Sequence, residues 1–72
     1  MVRRKPVTDS AIGALVREKR HARGVSQDQL GAALGVTFGM IQKYETGASP
    51  LTVVKLVQIA TYLECQTIDL IP

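Results

Sequence analysis

Apolar residues recur along this chain at helical spacing almost from end to end. Ile12, Leu15 and Val16 fall at i, i+3 and i+4, and Lys19 takes the i+7 place, where its aliphatic stem can cover a core edge. Thr8, Asp9 and Ser10 offer N-cap oxygens before this stripe, and Gly24 can turn left-handed after it, so a first helix is predicted over 9–22. Ser26, with Gln29 three residues on, forms a capping-box pattern. It opens a second helix, 27–34, with Leu30, Ala33 and Leu34 as its expected buried side and Gly35 as its stop. Thr37 caps a third, 38–46, which buries Ile41 and Tyr44 and ends at Gly47. Beyond the Gly-Ala-Ser-Pro turn at 47–50, Thr52 caps a longer fourth helix. Its apolar positions Val53, Leu56, Val57, Ile59, Ala60 and Leu63 make a wide stripe, which predicts a central helix packed on several sides. Gln66 or Thr67 starts a final short turn through Ile68, Leu70 and Ile71, and Pro72 closes it. Strand alternation never runs beyond a few residues. The class is all-α.

Length changes the picture first. Seventy-two residues hold one small domain, marginal as a monomer and a natural candidate for oligomerisation. With 46% apolar residues and a net charge of only +3, the chain is too hydrophobic to stay disordered, and it has no apolar run long enough to span a membrane. Cys65 is the single cysteine and His21 the single histidine, so neither a disulfide within the chain nor a zinc site of three or four N/S ligands can form. No secretory signal follows the basic start, which points to a cytoplasmic protein with Cys65 as a small buried hydrophobe. Met1 and an end just after the last turn point to a complete small protein.

The charge is uneven. Residues 1–23 carry Arg3, Arg4, Lys5, Arg17, Lys19, Arg20 and Arg23 against Asp9 and Glu18, a balance of +5, and the remainder balances at −2. Such asymmetry suits a surface that faces a polyanion. Residues 1–8 read as a basic N-terminal arm and 9–72 as a single domain.

Within that domain the second and third helices are joined by a tight glycine turn. A helix-turn-helix lays its second helix in the DNA major groove and the first across the phosphates. Gly31 is small where the helices must cross, Gly35 can supply the positive φ of the turn, and Leu30, Leu34, Val36, Ile41 and Tyr44 are spaced to hold the second helix from behind. Paired carboxylates, a Ser-His pair and a phosphate-cradling glycine loop are all missing, so no enzyme and no cofactor is expected.

Three stretches together carry a resemblance: Gly24-Val25-Ser26-Gln27-Asp28-Gln29-Leu30, then Leu34-Gly35-Val36-Thr37, then Ile41-Gln42-Lys43-Tyr44-Glu45-Thr46-Gly47. The chain resembles the phage-repressor helix-turn-helix family, of the Cro-like, xenobiotic-response-element type, over about residues 10–71. It is similar to small stand-alone phage regulators and to restriction–modification controller proteins. The resemblance implies a compact five-helix domain of the lambda-repressor-like type that binds operator DNA as a homodimer. It implies that Thr37, Phe38, Gly39, Gln42 and Lys43 face base edges, that Gln27 and Thr46 contact phosphates, and that Arg20 and Glu45 form an internal ion pair. Gln42 can bond adenine through two hydrogen bonds, and Lys43 can donate to guanine.

Several positions depart from the family pattern. Phe38 replaces a frequent polar reader; it can pack on a thymine methyl, or else serve as a core or dimer contact. Gly39 beside it offers no side chain to a base. The 48–50 loop lacks basic residues, which leaves Arg17 and Arg23 of the first helix as further phosphate contacts, with the Arg3-Arg4-Lys5 arm as a groove-following or merely solubilising tail. Glu64 stands where a helix-ending glycine is usual, so that turn is expected to be strained or extended. Dimerisation is expected through Ile68, Leu70 and Ile71. The expected partners are double-stranded DNA and a second copy of the chain, with RNA polymerase or an antagonist protein behind them. The alternative is a protein-interaction module on the same fold, such as an antitoxin or a repressor antagonist.

Overall fold

The computed structural model describes residues 6–72, so the Arg3-Arg4-Lys5 arm lies outside the described residues. Four α-helices follow one another: α1 (Asp9–Ala22), α2 (Gln27–Leu34), α3 (Phe38–Thr46) and α4 (Val53–Tyr62). Each begins on a side-chain oxygen. Thr8 accepts from the Ala11 amide, Ser26 from Gln29, Thr37 from Met40 and Thr52 from Lys55, each satisfying one of the amides that a helix start leaves open. At α2 the cap is reciprocal, because the Gln29 amide oxygen accepts from the Ser26 N–H at 2.8 Å.

Three helices end in the same way. After α2, Gly35 is left-handed (φ 71°), its N–H donates to the Ala32 carbonyl, and the Val36 N–H reaches back to Gly31 at 2.9 Å. This double bond pattern is the Schellman motif. Gly24 and Val25 repeat it after α1. Glu64 and Cys65 repeat it after α4, with the Glu64 N–H on the Thr61 carbonyl and the Cys65 N–H on Ala60. Glu64 therefore holds φ 56° without being glycine, a conformation that costs about 1 kcal/mol. The turn is strained rather than extended.

The expected fifth helix is instead a four-residue 3₁₀ turn, Thr67–Leu70. Asp69 bonds the Gln66 N–H and holds it closed, and four residues are too few for an α-helix to propagate. Leu70 points into the core and is fully buried. It is unavailable to a second copy, which corrects its assignment as a dimer contact; Ile68 and Ile71 remain exposed.

The core gathers Val16, Leu30, Leu34, Ile41, Tyr44, Leu56, Ile59, Ala60, Leu63 and Leu70. Cys65 packs partly buried against it, and burial pushes its thiol upward from its usual range, helped by Asp69 and opposed by Lys19 and Arg23. Ala33, expected inside, is exposed, because α2 turns Leu30, Gly31 and Leu34 inward instead. The breadth of the α4 stripe also has a different meaning from the one expected. Only Leu56, Ile59 and Ala60 are buried on α4, with Leu63 just beyond it, while Val53, Val54 and Val57 face outward. Nothing within the described residues covers that side.

Two glycines set how closely the helices approach. A Cβ on Gly31 would stand 2.7 Å from the Val36 carbonyl oxygen, so the α2–α3 turn closes only over glycine. A Cβ on Gly13 would overlap the Tyr44 carbonyl oxygen and stand 2.6 Å from that of Glu45. Gly13 thereby seats α1 directly against the backbone at the end of α3.

Candidate nucleic-acid interface

The centre of the site is a buried charge pair. Arg20 on α1 donates from Nε to Glu45 Oε2 at 2.6 Å and from Nη2 to Oε1 at 3.1 Å, while its Nη1 donates to the Val25 carbonyl at 3.0 Å. Both residues are nearly inaccessible. Charges in such a place persist only when geometry and hydrogen bonding compensate their lost hydration, and a two-toothed guanidinium–carboxylate contact provides both. Gln27 completes the carboxylate's shell by donating Nε2 to Oε1 at 3.1 Å. One carboxylate thus ties α1, α2 and α3 together, and the expected Arg20–Glu45 pair is present.

This arrangement fixes the direction of α3. Ile41, Tyr44 and Glu45 face inward, so Gln42, Lys43 and Thr46 face outward, with Thr37 and Phe38 exposed at the opening of the helix. Arg17, Arg20, Gln27, Gln42, Glu45 and Thr46 line an open cleft of about 560 Å³. Four residues expected to touch DNA, Arg17, Gln27, Gln42 and Thr46, thus converge on one concavity from three helices. Lys43 is exposed on α3 beside it.

Hydrogen bonds refine individual roles. Gln27 has given one amide hydrogen to Glu45 and keeps a second to donate. Thr37 Oγ1 accepts from the Met40 amide, leaving its hydroxyl hydrogen free to turn outward. The Thr46 hydroxyl donates to the Lys43 carbonyl at 3.3 Å. Phe38 is 52% exposed and Met40 only partly buried, which removes Phe38 from the core. His21 is exposed, as its position suggests, with its Nε2 3.2 Å from Arg20 Nη2.

Arg23 does not join this group. Its Nε donates to the Leu63 carbonyl at 2.9 Å, Nη2 to the Glu64 carbonyl at 3.2 Å, and Nη1 lies 3.0 Å from the Glu64 carboxylate. The guanidinium closes the strained end of α4 and is therefore corrected from a phosphate contact to a clamp between α1 and α4. Lys55, to which the sequence pattern assigns no role, donates Nζ to the Leu34 carbonyl at 3.0 Å and so caps the negative end of α2. Neither role has a local signal, since the partners lie 21 to 41 residues away.

A family model described as helix-turn-helix matches residues 16–70, well over half of the chain. The chain belongs to the helix-turn-helix family, in its Cro- and lambda-repressor-like branch. It is 40% identical over 65 residues to an uncharacterized HTH-type transcriptional regulator, y4wC, of Sinorhizobium fredii (strain NBRC 101917 / NGR234), covering 89% of this chain and 46% of that one. Among solved structures it is similar to the clp gene regulator ClgR of Corynebacterium glutamicum, with TM-score 0.84, 26% identity, and 92% and 86% of the two chains covered. It is also similar to the restriction–modification controller protein C.AhdI of Aeromonas hydrophila, with TM-score 0.80, 27% identity, and 86% and 94% covered. The chain spans about half the length of the curated relatives it matches. The curated relatives are named as transcriptional regulators, and a helix-turn-helix places its second helix in the DNA major groove. Among the described residues no helix is long and apolar enough to cross a membrane, and no cluster of three or more His, Cys, Asp or Glu could hold a metal.

Proposed function

We propose that this chain is a sequence-specific regulator of transcription that binds a near-palindromic operator as a homodimer. One observation carries the reading: Arg17, Gln27, Gln42 and Thr46 meet in a single cleft beside Lys43, on a helix that a buried ion pair holds in place. A recognition helix so held can enter the major groove with Gln42 and Lys43 at base edges while Thr37, Phe38 and Gly39 lead. Gln27 and Arg17 then meet the flanking phosphates as donors from α2 and α1, and Thr46 joins them from α3 by turning its hydroxyl hydrogen away from the Lys43 carbonyl. Occupancy regulates by excluding RNA polymerase or by touching it from an adjacent site.

Selection from random duplex DNA tests this. The expected product is a near-palindrome bound about 10³-fold or more above random sequence. Gln42→Ala should then relax preference at one position in each half-site. Lys43→Ala should do the same if it donates to a base, or weaken binding to every sequence if it meets a phosphate. Indifference of affinity and preference to both substitutions would overturn the placement of the recognition helix. No enriched sequence would overturn the DNA reading and favour a protein-interaction module.

A second copy of the chain is the occupant proposed for the uncovered apolar residues. Ile68 lies in the 3₁₀ turn and Ile71 just after it, and Val53, Val54 and Val57 lie within about one turn of α4, all outside the helix-turn-helix. A domain this small gains disproportionately from covering such surface. Two recognition helices about 34 Å apart would then read successive major grooves. Sedimentation at micromolar concentration should show a dimer, and Val57→Lys with Ile68→Lys should leave a folded monomer. A wild-type chain that sediments only as a monomer, with and without operator, would overturn the dimer.

A further inference from the structure

Gly39 is out of place by the standard of every other glycine among the described residues. Gly13 and Gly31 sit where a Cβ would strike backbone, and Gly24, Gly35 and Gly47 hold positive φ. Gly39 does neither, because a Cβ there would meet only Thr37 Oγ1, at an ordinary 3.8 Å. Glycine inside a helix is nonetheless less favourable than alanine, so the fold bears a cost without a return. Phe38 next to it presents the same difficulty in another form, since about half of an aromatic ring lies in water at the start of α3. Two unrewarded choices at adjacent positions mark a surface shaped for something outside the chain.

We infer that Phe38 and the gap left at Gly39 form an apolar notch that takes the C5-methyl group of a pyrimidine in the major groove. This rests on the DNA-binding reading above and specifies the chemistry at its leading edge. Thymine is the standard base that shows a methyl group there, whereas cytosine presents an amino donor. A ring beside a missing side chain gives the methyl a surface and leaves the donor unpaired, so the notch selects thymine over cytosine. Gln42, one turn further along α3 and exposed, then reads the neighbouring base by hydrogen bonding. The direction of the bias follows from the residue types: apolar contact at the tip, polar contact behind it.

The test uses the selected operator and replaces each thymine in turn by deoxyuridine, which removes the methyl and nothing else. Binding should fall about fourfold per methyl at one position in each half-site, the ratio expected for one buried carbon, and stay unchanged elsewhere. Phe38→Ala should abolish the thymine–uracil difference there by lowering affinity for the thymine operator to about that for the uracil one, with the preference at the Gln42 position retained. Gly39→Ala, which fills the notch without disturbing the fold, should shrink the same difference with thermal stability retained. A flat uracil scan on a sequence-specific complex would overturn this inference alone, leave the DNA reading standing, and assign Phe38 to a protein contact. A thymine–uracil difference that survives Phe38→Ala would overturn it as well. Absence of any selected sequence would remove the DNA reading and this inference together.

Discussion

Replacing Glu45 by alanine should cost the domain about 3–5 kcal/mol of folding free energy, the usual penalty for leaving one buried charge without its partner. A chain of 72 residues has about 4–11 kcal/mol to lose. The variant should therefore be largely unfolded in mild urea, followed by far-ultraviolet circular dichroism. The penalty is large because three donors lose their acceptor together: two nitrogens of Arg20 and the amide of Gln27 all point at one carboxylate. Replacing both charges, as Arg20→Met with Glu45→Leu, should recover most of the loss, since the hydration that the pair gives up is then no longer at issue. A Glu45→Ala midpoint close to wild type would show that water reaches Arg20 and that the pair does not hold the helices.

Gly13→Ala should destabilise by about 3 kcal/mol, at the upper end of ordinary overpacking. The sign is the reverse of the usual one. Alanine in a helix interior is normally better than glycine by up to about 1 kcal/mol. At Gly13 the new methyl meets the Tyr44 and Glu45 carbonyls, which belong to backbone and cannot rotate away. Relief comes only by moving α1 off α3, which also stretches the Arg20–Glu45 contact. Thermal melting of Gly13→Ala beside Gly39→Ala separates the two effects, since the second variant adds the same methyl at an ordinary 3.8 Å from the Thr37 hydroxyl oxygen. Equal melting temperatures would mean that α1 and α3 do not approach as closely as described.

Features written into neighbouring residues are legible in the sequence. The Ser26–Gln29 box, the Thr37 and Thr52 caps and the Gly24 and Gly35 stops involve partners three to five residues apart, and local chemistry decides them. Gly31 is legible for the same reason, because the turn it closes is adjacent. The Arg20–Glu45 pair is legible only through family resemblance; nothing in the spacing of two residues twenty-five apart says that they meet. Gly13 and Arg23 escape because what constrains them lies on α3 and at the end of α4. The 3₁₀ turn defeats a periodic reading as well. With three residues per turn in place of 3.6, it carries Leu70 inward and leaves Ile68 and Ile71 outside. Along α4 the sequence displays an apolar stripe, but not which part of it the rest of the chain covers.

The clamp at Arg23 has a consequence for how the protein meets a polyanion. Formal charge suggests a strongly basic first helix, yet Arg20 is neutralised by Glu45, Arg23 is turned onto the end of α4, and Lys55 is held on the Leu34 carbonyl. Among the described residues, Arg17, Lys19 and Lys43 are the lysine and arginine side chains with no internal partner. Few condensed cations are therefore displaced from a duplex by the described residues, which do not include Arg3, Arg4 and Lys5. The grip of this folded face should depend on fit between shapes and hydrogen-bonding edges more than on the ionic atmosphere of the duplex, and residues 6–72 alone should bind with a shallow dependence on salt.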